Sequence, residues 1–103
     1  MVLDRLQARS HFLALFERYG ALLTDHQRAV LDLHLRSDWS LAEIAKNEGT
    51  SRAAVHDVIN RSRLALEDYE KKLGLLSETQ RRRKAVITLA KELESLKVHM
   101  ARL

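Results

Sequence analysis

The 103-residue sequence has no cysteine, no proline and only three glycines, and its aromatics amount to one tryptophan, two tyrosines and two phenylalanines. Without cysteine there is no disulfide framework, no thiolate nucleophile and no Cys-ligated zinc. Gly20, Gly49 and Gly74 stand alone, so there is neither a phosphate-cradling glycine loop nor a G-x-S-x-G nucleophile elbow. His11, His26, His34, His56 and His99 include no H-x-x-x-H pair that would chelate a metal from one helix face. No catalytic residue, cofactor or metal is expected, and the chain reads as non-enzymatic. Long apolar runs are missing as well, since every uncharged stretch falls far short of the ~18 residues of a membrane span. The first residues carry Asp4, Arg5 and Arg9 rather than an apolar signal core. Cytoplasmic location without membrane insertion is the expectation.

What is present is charge, unevenly placed. The formal net charge is +4. Residues 1–60 hold seven basic and eight acidic side chains, whereas residues 61–103 hold eleven and six. The basicity is therefore C-terminal, and it peaks in the run Arg81, Arg82, Arg83, Lys84. A polyanion partner would be met there first.

The missing proline and the abundance of Leu, Ala, Glu, Lys and Arg predict an all-α chain. Thr24 with Gln27, Ser40 with Glu43 and Ser77 with Gln80 each have the hydroxyl-to-amide or hydroxyl-to-carboxylate spacing of a capping box. The three glycines are placed as helix stops. The reading is a five-helix bundle with helices over about 3–19, 25–37, 41–48, 52–73 and 78–102, the last one long. It divides into a core domain, 1–74, and a basic amphipathic helix, 75–103, that either joins the same domain or extends it for dimerisation.

The apolar stripes of the last two helices repeat at alternating steps of four and three. In the fourth they are Val55, Ile59, Leu66, Tyr69 and Leu73, with Ser62 interrupting; in the fifth, Val86, Leu89, Leu93, Leu96, Met100 and Leu103. Both stripes can pack inside one bundle, or the fifth can pair with a second copy of the chain. Leu6, Leu13, Phe16 and Tyr19 give the first helix a third apolar surface. Glu67, Asp68 and Glu70 beside Lys71 and Lys72 are explained by pairing along a solvated helix rather than by acid–base chemistry.

Residues 40–63, SLAEIAKNEGTSRAAVHDVINRSR, follow the steric grammar of a helix-turn-helix. Ala45 permits a close crossing, Gly49 makes the turn, Ile44, Val55 and Val58 fill the angle, and Ser51 caps the second helix. Such a motif reads duplex DNA with residues of its second helix. Arg52, His56 and Asn60 recur at steps of four on one face, with Arg61 and Arg63 following. Arg52 has the fork that matches guanine and Asn60 the amide that matches adenine. Ala53 and Ala54 offer nothing to base edges, and Asp57 repels phosphate. Lys46, Arg52, Arg61 and Arg63 against Glu43, Glu48 and Asp57 leave the segment at only +1. A helical hairpin facing a protein partner explains the same surface.

The motifs FERY (16–19), LLTD (22–25) with Gln27, DWSLAEIA (38–45), SRAAVHD (51–57) and LEDYEKKL (66–73) together resemble the YlxM family. These are small bacterial helix-turn-helix proteins similar to region 4 of the sigma factors and associated with the signal recognition particle. The resemblance covers about two-thirds of the chain and departs from the family pattern at Ala53, His56 and Asn60. It implies a regulatory or accessory role in co-translational protein targeting, with the particle's GTPase, its RNA, or both as partners. Duplex DNA, on the fold analogy, and a second copy of the chain are the other partners the sequence raises. The residues expected to meet them are Arg52, His56, Asn60, Arg61, Arg63 and the run Arg81 to Lys84.

Overall fold

The computed structural model describes residues 2–103. The chain is all-α, with helices α1 (Val2–Tyr19), α2 (Asp25–Leu35), α3 (Leu41–Glu48), α4 (Arg52–Leu73) and α5 (Leu75–Ala101), and a 3-10 turn at Gly20–Leu22. Among the described residues no helix is long and apolar enough to cross a membrane. Two compact units are present, one ending at Leu73 and one comprising Gly74–Leu103.

In the first unit α4 packs against α1, α2 and α3. Leu15, Leu31, Ile44 and Leu66 are completely buried and supply one helix each to a common core, joined by Tyr19, Val30 and Val55. Apolar burial of this kind contributes roughly 1.5–3 kcal/mol per large side chain. The α4 stripe enters this core from Val55 to Leu66 as its spacing predicts, with Tyr69 half-buried and Leu73 exposed beyond it, and its one polar member, Ser62, is fully buried too. Its hydroxyl donates to the Val58 carbonyl at 2.6 Å, so the helix satisfies it internally. In α1, Phe16 and Tyr19 are buried and Leu13 is half-buried as their spacing predicts. Leu15, which that stripe did not include, takes the deepest position, and Leu6 is exposed, as are all residues from 2 to 11.

Polar contacts tie the ends of these helices together. Tyr19 donates its hydroxyl to Glu70 Oε1 at 2.8 Å, and its ring lies 6.2 Å from that of Tyr69. Arg9 donates to the His34 carbonyl at 3.0 Å and to the Asp38 carboxylate. Arg36 stacks over Phe16, 5.1 Å from the ring centre. Along α4, Asp68 pairs with Lys72 at 2.8 Å and Glu67 with Arg63 at 3.3 Å. With Glu70 held by Tyr19, the acidic cluster is fully engaged in structural pairing; the bond to Asp68 raises the Lys72 pKa.

Three helix ends differ from the sequence expectation. Gly20 is not a left-handed stop. It is buried against Phe16, and a Cβ there would sit 3.1 Å from the ring, a tight approach that the ring would have to yield to by a few tenths of an ångström. Helix α2 ends at Leu35 rather than 37, and the reversal after it is made by Asp38 at φ 59°. That uncommon conformation for a non-glycine residue is one that aspartate tolerates. Finally, α5 begins at Leu75, three residues before the expected start. Gly74 at φ 63° is its N-cap, and the Glu78 amide already donates to the Gly74 carbonyl. Ser77 therefore lies inside the helix instead of capping it, and the Thr79 hydroxyl donates back to the Leu75 carbonyl at 2.9 Å.

The second unit is α5 itself. None of its residues is buried.

Candidate nucleic-acid and partner interface

The helix-turn-helix is built by local sequence. Ser40 Oγ accepts from the Glu43 amide at 3.1 Å and Glu43 Oε1 accepts from the Ser40 amide at 3.1 Å, a complete capping box that fixes the start of α3. Gly49 ends α3 at φ 69°, and the Thr50 amide closes back onto the Ala45 carbonyl at 3.0 Å. Ser51 then accepts the Ala54 amide at 3.1 Å and starts α4. Ala45 is buried at the crossing, with Ile44 and Val55 filling the angle; Val58 is only half-buried.

On α4, Arg52 and His56 are exposed and carry no hydrogen bond or ion pair among the described residues. The other three expected contacts are engaged. Arg63 donates to Asn60 Oδ1 at 2.6 Å and to Glu67 Oε1 at 3.3 Å, holding the Asn60 carbonyl that would otherwise face a base. Arg61 pairs with Asp57 at 3.1 Å. At 3.6 residues per turn, the nine positions from Arg52 to Arg61 put these two on opposite sides of the helix. Arg52, His56, Asn60 and Arg63 share one side. Among the described residues, the free cation of that surface is thus Arg52 alone.

A small cleft of about 100 Å³ opens beside the turn, lined by His26, Val30, Glu48, Thr50, Ala54, Val55 and Val58. His26 Nε2 lies 3.4 Å from Glu48 Oε2 across its rim, linking the start of α2 to the end of α3. Sequence reasoning assigned His26 no role, because no local spacing connects it to Glu48.

In the second unit Arg81, Arg82, Arg83 and Lys84 are all exposed. Glu78 takes Arg82 at 2.6 Å. Arg81, Arg83 and Lys84 have no ion-pair partner among the described residues, and with Ser77 and Gln80 they line an open concavity. This is the denser of the two cationic surfaces and suits phosphate oxygens.

The model of the UPF0122 family, YlxM / p13-like helix-turn-helix proteins, matches residues 6–102. The chain belongs to this family. The match runs well past Leu73, where the LEDYEKKL motif ends, so α5 is part of the UPF0122 pattern. Curated UPF0122 proteins agree with the assignment. One from Symbiobacterium thermophilum is 43% identical over 88 residues, which is 85% of this chain and 82% of the relative. Another from Lacticaseibacillus casei is 51% identical over 76 residues, 74% of this chain and 67% of the relative. A UPF0122 protein from Streptococcus gordonii is 54% identical over 65 residues, 63% of this chain and 59% of the relative.

Proposed function

We propose that this UPF0122 protein is a non-enzymatic accessory factor of the signal recognition particle pathway, binding the particle's RNA, its GTPase, or both. The resemblance to the YlxM family supplies the pathway. The observation that carries the RNA contact is the group of three exposed, unpaired cations Arg81, Arg83 and Lys84 on α5. They can neutralise phosphates at no cost in broken ion pairs, and structured RNA is recognised largely through its backbone and shape.

A folded RNA hairpin titrated with the full chain should bind with a log K against log salt slope of about −2 to −3, one increment per neutralised phosphate. Replacing Arg81, Arg83 and Lys84 by Gln should flatten that slope. Retention of both the particle's GTPase and its RNA from cell extract places the protein in the pathway. Retention of neither refutes the reading.

A second reading, a transcription regulator with a sigma-region-4-like motif, is favoured by the exposed Arg52 and His56 near the start of α4. It requires preference for particular duplex sites over bulk DNA of about 1000-fold or more. With Arg52 as the one free cation on that side of α4 among the described residues, phosphate anchoring is scarce, and this reading stands second.

A further inference from the structure

The face of α5 formed by Val86, Leu89, Leu93, Leu96, Met100 and, just past the helix end, Leu103 is more than half exposed at every position. We propose that this face is covered by the same face of a second copy of the chain, in a parallel, in-register two-stranded coil. Its occupant is indicated by the charges that flank it. Assigning Val86, Leu93 and Met100 to heptad position a and Leu89 and Leu96 to position d puts Leu103 at the next d, so every d is leucine, and the first a, Val86, is the β-branched residue that favours two strands beside it, while Leu93 and Met100 fill the other two a positions. The flanking g and e positions then include Glu92 and Lys97, neither of which has an ion-pair partner among the described residues.

In the parallel register Glu92 faces Lys97 of the second copy, and this attractive pair occurs twice by symmetry. Ala85 and Ala90, the preceding g and e residues, face each other without charge. Antiparallel pairing that overlaps the whole stripe, with Val86 against Leu103, Leu89 against Met100 and Leu93 against Leu96, sets Glu92 against His99 and Ala90 against Lys97 of the second copy, so Lys97 gains no carboxylate partner. The two Glu92–Lys97 pairs form only in the parallel register, and this charge complementarity indicates a second copy of the chain in that direction. The seam is short, about 25 Å from Val86 to Leu103, so the dimer dissociates on dilution. Parallel pairing also gathers two Arg81–Lys84 runs at one end of the coil, doubling the local cationic charge.

Sedimentation equilibrium of the full chain from about 1 µM to about 500 µM should show the mass rise from one chain to two. Leu93→Glu should remain monomeric throughout while the thermal transition of the first unit is unchanged, since Leu93 is exposed in the single chain. Lys97→Glu should weaken dimerisation by about tenfold, and combining it with Glu92→Lys should restore it. Met100→Cys, the only cysteine in such a chain, should form an intermolecular disulfide under mild oxidation, because only the parallel register brings the two positions 100 together. A chain that stays monomeric at the highest concentration overturns the proposal and leaves the face to a different partner. Strengthened dimerisation by Lys97→Glu, or no disulfide from Met100→Cys, overturns the parallel arrangement.

Discussion

Two residues show how a buried polar group sets stability in the first unit. The Nδ1 atom of His34 is buried without a hydrogen-bond partner among the described residues. Burial lowers the His34 pKa, and the charge of Arg9 acts in the same direction. The unfolded chain, with an ordinary histidine near 6.5, therefore binds a proton at a pH where the folded chain does not. Stability contributed by neutral His34 is present above about pH 6.5 and is lost as the pH falls through the unfolded value toward the lower folded one. Denaturant titrations between pH 7.5 and 5 should show this decline, and His34→Gln should flatten it; an equal slope in the variant would assign the decline to other groups. Tyr19 is the second case. Its hydroxyl is held by a carboxylate, and Tyr19→Phe should cost about 1 kcal/mol, lowering the melting temperature by about 4–8 °C. Neither partner was visible in the sequence. Tyr19 and Glu70 are 51 positions apart, and only the packing of α1 on α4 brings them together.

Elements were legible wherever their ends are written in local chemistry. The capping boxes of Thr24 and Ser40 and the left-handed turn at Gly49 follow from side chains three residues apart and from one missing Cβ. Gly49→Ala meets no atom within 4 Å, so its cost is conformational: about 1–2 kcal/mol for an L-residue forced to φ 69°, read as a lower denaturation midpoint with an unchanged m-value. A shift in m would instead show that the turn had reorganised. The same local logic misplaced the start of α5. Ser77 and Gln80 have capping-box spacing, yet left-handed Gly74 starts the helix three residues earlier, and the favourable bonds of Glu78 and Thr79 back into the first turn keep it continuous. The end of α2 was misread for the complementary reason. Asp38 makes the reversal in the left-handed region without a glycine to signal it, and its carboxylate is taken by Arg9, 29 positions away.

For the molecule as a whole, the distribution of burial separates the two units in their expected behaviour. The middle of α4 is anchored by Val55, Ser62 and Leu66, all 2% exposed or less, whereas α5 contributes no buried side chain. Opening of a helix costs most where apolar contacts must be broken. Amide hydrogen exchange at low micromolar concentration should therefore show the amides from Val55 to Leu66 protected close to the global unfolding limit and those of Val86 to Met100 exchanging far faster. Protection of α5 should rise with protein concentration if the coil forms. Uniform protection at high dilution would mean that α5 is stabilised by something other than self-association.

The sequence by itself determined the helical class, the helix-turn-helix, the membership in a YlxM-like family and the C-terminal bias of positive charge, because each depends on composition or on residues within a turn or two of one another. Tertiary structure decided which charges are free. It left Arg52 and His56 open while closing Asn60, Arg61 and Arg63 into pairs, and it left Arg81, Arg83 and Lys84 unpaired while Glu78 took Arg82. It also decided that Leu15 rather than Leu6 anchors α1, and that the α4 stripe is buried from Val55 to Leu66 while the α5 stripe is exposed throughout, although the two have nearly the same spacing. Periodicity specifies that an apolar face exists; only the helices packed against it specify whether that face is already covered.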